Sequence, residues 1–340
     1  MLVRSRAPLR LGLAGGGTDV EPYCSKHGGQ VINATIDLYA HCTIEEANDV
    51  LIFKAIDKDE VFNSKPKSYL EVDGLLSLHK GVYNRVVKEF NDGSPLSLVM
   101  TTFSDVPAGS GLGSSSTLVV AMLKAYVEWL SIPLGDYDIA YLAYQIERED
   151  IGLSGGKQDQ YAATFGGFNF MEFSANNRVL VNPLRVQNYL VNEIEAHTIL
   201  FFTGVSRDSF KIIDDQIQKI SKENLNYLSS SENLKQEALL MKEAILKCDM
   251  KLFSETLGRA WIAKKKLSNL ISNKMIEDTF NIAKNNGAYT GKISGAGGGG
   301  FILFSINPLK KHKLITALEK LNGRVINFHF VQEGVQAWRI

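Results

Sequence analysis

Between Leu98 and Trp129 the chain changes character twice. A β-branched and aromatic run, Leu98 to Phe103, leads to the string PAGSGLGSSST at Pro107 to Thr117, which runs directly into apolar residues at helical spacing. Leu118, Met122, Ala125 and Trp129 recur at intervals of four, three and four, so one face of this helix is core and Trp129 is packing. A helix entered through glycine and serine presents unpaired backbone N–H groups and the positive end of its dipole, with no bulky side chains to keep an anion away. The segment therefore predicts a phosphate cradle. It is not of the Walker type, because GxxxxGK[ST] is absent and no lysine stands where that loop requires one. The competing reading is a flexible connector with a serine cap.

Two other glycine-rich punctuations flank this loop. Ala7 to Asp19 reads APLRLGLAGGGTD and Lys292 to Phe301 reads KISGAGGGGF, each beside an apolar run. A further stretch, EREDIGLSGGKQDQ from Glu147, places Gly152 five residues after the glutamate and Asp159 seven after that glycine. In this order and spacing the segments resemble the motifs of the GHMP small-molecule kinases, the family of galactokinase, homoserine kinase and mevalonate kinase. The resemblance spans most of the chain. A Glu or Asp alone on a helix is ordinarily a solvated charge; the neighbouring motifs make Glu147 and Asp159 candidates.

The resemblance implies an α+β chain of two domains. Residues 1–185 would form an N-terminal domain like ribosomal protein S5 domain 2, and residues 186–340 a ferredoxin-like C-terminal domain, with ATP as phosphoryl donor and Mg2+ as its ion. Phosphoryl transfer asks a protein for in-line positioning, neutralised phosphates and a place for the hydroxyl proton. By resemblance the ATP phosphates fall to Pro107, Gly109, Ser110, Gly111, Leu112, Gly113, Ser114, Ser115 and Ser116. The metal falls to Ser115 and Glu147, hard oxygens suited to an ion that keeps several waters. One of the serines can instead cap the helix. Asp159 is the expected proton acceptor. Arg10 fills the basic slot of the first motif, where its charge would act on Asp159 and stabilise charge on the transferring group; the alternative is an exposed arginine at a strand end. Gly295, Ala296, Gly297 and Gly298 suit either close backbone approach to the central loop or a tight turn without ligand contact.

Thr18, Asp19, Gly156, Lys157 and Tyr161 fall to the acceptor. Galactokinase carries GEHTD where this chain has Gly15-Gly16-Gly17-Thr18-Asp19, so two bulky polar side chains are lost and the carboxylate is kept. With Pro22-Tyr23 after it, this form resembles the branch of fucokinase-type and heptose 7-phosphate enzymes, which phosphorylate the anomeric hydroxyl. GGKQDQ followed by Tyr161 and GGFN at Gly166 to Asn169 is most similar to its heptose members. Lys157, two residues before Asp159, is costly there without an anion, which suits an acceptor bearing its own phosphate. The γ-phosphate of ATP and a surface carboxylate remain open as its partners. A sugar sensor without turnover is the competing class, but such a protein would be expected to lose a catalytic side chain, and Ser115, Glu147 and Asp159 are all present.

Composition sets the outer bounds. A chain of 340 residues suits two domains around a cleft, and its 37 basic and 37 acidic residues leave no global field to recruit nucleic acid or an anionic membrane. No apolar leader or spanning run is evident, so a cytoplasmic protein acting on a sugar phosphate and ATP is expected, with room for a homodimer. Cys24, Cys42 and Cys248 follow no metal or disulfide pattern and are expected to be buried apolar residues. A helix over Asp136 to Asp150 would carry Glu147 in its last turn, Asn182 to Glu195 reads as the crossing between halves, and Ser229 to Ser231 reads as a polar turn. Later, a strand is expected at His197 to Phe202, a helix near Pro308 to Leu321 and a strand near Arg324 to Val331.

Overall fold

The two longest strands form the spine. In the computed structural model, which describes residues 1–206 and 209–340, β1 (Leu2–Ala14) and β2 (Gly29–Glu46) pair antiparallel from Leu2 opposite Glu45 to Ala14 opposite Ile32. The β-branched stretches Val31–Ile36 and Ala40–Ile44 lie in one element, because a register shift between Pro8 and Leu9 absorbs the break between them. Five more strands follow: β3 (Leu51–Ala55), β4 (Glu60–Ser64), β5 (Leu98–Ser104), β6 (Phe168–Phe173) and β7 (Val179–Pro183). The second half of β2 pairs with β5 and its first half with β6, so one strand carries two branches of the sheet. β3 and β5 run parallel.

The second sheet is antiparallel. It contains β8 (Thr198–Phe202), β9 (Ala288–Ile293), β10 (Phe301–Ile306) and β11 (Arg324–Ile326), ordered β11-β8-β10-β9. β12 (Gln336–Arg339) then returns to the first sheet, where Val3 faces Arg339 on the outer edge of β1. Sequence separation therefore does not divide the two sheets cleanly. One apolar cluster joins Leu9, Leu11 and Leu13 of β1 to Leu257, Trp261 and Phe301, so the two halves share a core beneath the cleft. Another lies under the Ser114–Leu130 helix, where Val119, Met122 and Tyr126 meet Val3, Ile44 and Met100.

Several local expectations are corrected. Asn182 to Glu195 does lead from the first sheet to the second, but it is structured rather than loop throughout: it contains the end of β7 and a helix, Asn188–Ala196, that buries Leu190, Val191 and Ile194. Ser229 to Ser231 lie within the Leu225–Lys247 helix, and Ser230 and Ser231 are buried, their small side chains filling a helix face rather than a turn. Cys248 is only partly buried, at the left-handed end of that helix, while Cys24 and Cys42 are buried; all three are free thiols. The last strand region stops at Ile326, and the helix near Pro308 is a short tight turn, Pro308–Lys310, leading into Lys311–Leu318.

Candidate active site

Gly113, at φ 78°, begins the Ser114–Leu130 helix, and no side chain caps it. The serines after it point elsewhere. Ser115 Oγ donates to Glu147 Oε1 at 3.3 Å, and Ser116 Oγ accepts from Gln160 Nε2 at 3.1 Å. The capping alternative is thereby set aside, and the first-turn amides keep their electropositive end free of side-chain acceptors. A β-carbon at Gly113 would lie 3.0 Å from the Asp159 carboxyl, so glycine is what lets the loop and this carboxylate meet.

The third glycine run reaches the same loop by backbone. A β-carbon on Gly295 would lie 2.5 Å from the Gly111 carbonyl, one on Gly111 would meet the Ser294 carbonyl equally closely, and Phe301 N donates to Ser110 O at 3.0 Å. Gly295 and Ala296 line the cleft, whereas Gly297 and Gly298 pack on Ile271. The close backbone approach to the central loop is thus made by Gly295, while the far end of the run packs on Ile271 instead. Pro107, Ser110 and Leu112 are not among the residues lining the cleft; Leu112 is buried, and its carbonyl accepts from Arg10 N.

Arg10 is buried on β1 and is not a strand-end surface residue. Its Nε and Nη2 reach Asp159 Oδ1 at 2.8 and 2.7 Å, and its Nη1 donates to Gly111 O at 2.7 Å. The guanidinium therefore ties the candidate base to the phosphate loop. Asp159 stands in the first turn of the Gln158–Phe165 helix. Glu147 is buried where the Asp136–Gln145 helix widens into the turn Ile146–Asp150, and Gln160 Nε2 donates to its other oxygen. The hydroxyl of Ser115 and the carboxylate of Glu147 make a small hard-oxygen set on the cleft wall. It suits a magnesium ion that takes its remaining ligands from water and phosphate.

Asp19 lines the same cavity, which is about 500 Å³ in volume. Its Oδ1 accepts from Gly17 N at 3.0 Å and Gln158 Nε2 at 3.3 Å, and its Oδ2 accepts from Gln158 N at 3.1 Å. A β-carbon on Gly156 would fall 2.0 Å from Oδ2, so that glycine makes room for the carboxylate. Thr18 is buried behind the loop, donating to Gly15 O and accepting from Gln30 N, and so shapes it without facing the cleft.

Two further expected acceptor residues lie away from the cleft. Lys157 is buried and does not line the cavity; its Nζ donates to Glu21 Oε1 at 2.5 Å and Asn177 Oδ1 at 2.8 Å, with the Tyr144 ring 5.3 Å away. The anion it needs is supplied by the protein. Tyr161 packs against Tyr137 and Phe165 in an interior cluster.

Residues 77–167 match the family described as the GHMP kinases N terminal domain, and residues 241–322 match the GHMP kinases C terminal domain. A D-glycero-alpha-D-manno-heptose 7-phosphate kinase of Campylobacter jejuni is 50% identical over 339 residues, covering 99% of each protein. The chain belongs to the GHMP kinases. Among solved structures, a D-glycero-D-manno-heptose 1-phosphate kinase from Bacteroides thetaiotaomicron superposes on this GHMP kinase with a TM-score of 0.85 at 46% identity, covering 99% of both chains. A bifunctional fucokinase/GDP-fucose pyrophosphorylase of Arabidopsis thaliana is 28% identical across 90% of the chain and 30% of its own length. The α+β fold in two units that the motifs implied is the fold of this family.

The GHMP kinase also places in its cleft residues that the sequence reading did not single out. Lys264, on the Met250–Lys265 helix, is buried, lines the cavity and donates from Nζ to Gly16 O at 2.9 Å. Burial pulls its pKa down to about 8; the charges of Asp19 and Asp159 hold it up and Arg10 opposes them. Gln216, from the Ser209–Ser221 helix, and Arg148, beside Glu147, line the same space. Adjacency to Glu147 was a usable sequence signal for Arg148. Lys264 had none, because a lysine in a helix with further lysines at 265 and 266 is indistinguishable from a solvated face.

Proposed function

We propose that this GHMP kinase transfers the γ-phosphoryl group of ATP to the anomeric hydroxyl of D-glycero-D-manno-heptose 7-phosphate, giving the 1,7-bisphosphate and ADP for nucleotide-activated heptose synthesis. The observation that carries the reading is the Arg10–Asp159 pair, tied to the glycine loop through Gly111 and lining one cleft with Asp19. The bond between the sugar oxygen and γ-phosphorus forms as the β,γ-bridging bond breaks, and Asp159 takes the hydroxyl proton late. Arg10 orients that carboxylate and faces the charge on the transferring group. The loop amides from Gly109 to Ser115 bind the ATP phosphates. A magnesium ion held by Ser115 and Glu147 would neutralise phosphate charge. The reaction needs neither nucleic acid nor membrane, in keeping with a cytoplasmic enzyme; among the described residues no helix is long and apolar enough to cross a membrane.

The heptose is favoured by the relative that is half identical over its whole length, whereas the fucokinase match is more distant. The Bacteroides protein is named for heptose 1-phosphate, which makes phosphorylation at another position the second reading. Incubation with ATP and magnesium against heptose 7-phosphate, heptose 1-phosphate, L-fucose and galactose, read by mass and phosphorus NMR, tests both. A new anomeric phosphate on heptose 7-phosphate is expected. Faster turnover of L-fucose or of heptose 1-phosphate would overturn the assignment.

A further inference from the structure

The acceptor end of the cleft is closed by the C-terminal half. Lys264 Nζ spends one of its three N–H groups on Gly16 O. Gln216 is 2% exposed, and its Nε2 has no hydrogen-bond partner among the described residues, which is costly for a buried amide. Gln158 Oε1, on the same wall, is likewise unpartnered. Lys264 and Gln216 pack against the glycines of the first motif. A β-carbon on Gly16 would lie 3.6 Å from Lys264 Nζ; one on Gly17 would lie 4.0 Å from it and 3.7 Å from Gln216 Oε1. Any larger side chain there would cover the ammonium.

We propose that Lys264 and Gln216 hold neighbouring hydroxyls of the acceptor sugar opposite Asp19, and this rests on the sugar-kinase reading above. Asp19 can only accept hydrogen bonds, whereas Lys264 and the Gln216 amide nitrogen only donate. A hydroxyl does both, so a vicinal diol satisfies the carboxylate with one group and the donors with the next. A phosphate in this position would face the carboxylates of Asp19 and Asp159 as well as Lys264. The phosphate of a sugar phosphate therefore lies away from Lys264, and the ammonium reads the sugar itself.

The test compares Lys264→Met and Gln216→Leu with the unaltered enzyme, using calorimetric titration of heptose 7-phosphate and of the unphosphorylated heptose, together with KM for ATP. Lys264→Met is expected to weaken both sugars tenfold or more by a common factor, Gln216→Leu about threefold, with ATP KM within twofold. Loss confined to the phosphorylated sugar would overturn the inference by making Lys264 a phosphate ligand. A raised ATP KM with unchanged sugar affinity would also overturn it. Should Lys264→Met fail to fold, as read by its melting curve, Gln216→Leu decides, and unchanged sugar affinity in that variant sinks the proposal. Failure of the unaltered enzyme to phosphorylate either heptose is a different result, and it rejects the functional reading rather than the role of these two side chains.

Discussion

The two ends of the cleft are built in opposite ways. At the phosphate end every functional group sits on a short, glycine-punctuated segment: Arg10 before the first glycine run, Ser115 after the second, and Glu147 and Asp159 on either side of Gly152. These segments are locked to one another by backbone contact and by the Arg10–Asp159 pair. At the proposed acceptor end Asp19 and the Gly17, Gly156 and Gln158 that surround it belong to motifs, but the further groups, Lys264 and Gln216, come from long amphipathic helices. Phosphate chemistry is common to all ATP-dependent transfers and tolerates little variation in geometry. Sugar recognition can be met by any helix that brings a donor to the right place. On the proposed reading, the contrast separates what makes the chain a kinase from what makes it choose a sugar.

The strongest test of the phosphate end is Asp159→Asn. The amide keeps the shape and one acceptor oxygen but cannot take the hydroxyl proton, so kcat should fall by about a hundredfold or more with ATP affinity retained. Steady-state kinetics with a matched ATP titration checks this, and near wild-type turnover would remove Asp159 from the chemistry.

Glu147→Gln should come next, with turnover down by about tenfold and a higher magnesium requirement, since an amide oxygen brings no charge to a hard divalent ion. Ser115→Ala should act in the same direction more weakly. An unchanged magnesium titration in Glu147→Gln would leave that residue as a buried partner of Gln160 and nothing more.

The same contrast explains what the sequence made legible. Arg10, Ser115, Glu147 and Asp159, which the fold brings to one cleft, could be singled out because the function proposed for them forces local composition: glycine where backbone must approach, and fixed spacing around it. Lys264 and Gln216 occupy ordinary helical positions, and only the packing of the Met250–Lys265 and Ser209–Ser221 helices over Gly16 and Gly17 reveals them. Lys157 shows the converse. Proximity to Asp159 in sequence suggested a ligand, yet the helix start directs its side chain away from the cavity toward Glu21. In the fold, the pairing of β12 with β1 joins residues at opposite ends of the chain, which no local periodicity can encode.

Lys157→Met sharpens the comparison by asking which end the lysine serves. Its ammonium joins Glu21, just past Asp19, to the loop that carries Asp159. Burial alone would raise the Glu21 carboxyl, but hydrogen bonds from Lys157 and Ser25 and the lysine charge outweigh it and hold the pKa below the usual value. Such a carboxylate contributes stability that is present above its unfolded pKa and lost as pH falls through the folded one. The variant should therefore lose about 1–2 kcal/mol of stability near neutrality and show a flatter acid dependence. Melting curves across the acid range check both. Unchanged melting with a tenfold higher KM for the phosphorylated sugar alone would restore Lys157 as a substrate ligand.

The smallest expected effect belongs to Gly16→Ala, and it bears most directly on the acceptor end. Gly16 does not adopt a positive φ, so alanine is free of backbone strain there. Its methyl group would lie 3.3 Å from Gln158 Nε2 and 3.6 Å from Lys264 Nζ, close enough to press on the amide and cover part of the ammonium. Acceptor KM should rise about two- to fivefold with kcat and ATP KM nearly unchanged, the pattern of lost ground-state binding. Combined with Lys264→Met the two effects should fall short of multiplying, because the alanine acts largely through an ammonium that the second substitution has already removed. Full multiplication would mean that Gly16 and Lys264 touch the acceptor independently. The glycine would then matter for the space it leaves the sugar rather than for the lysine it uncovers.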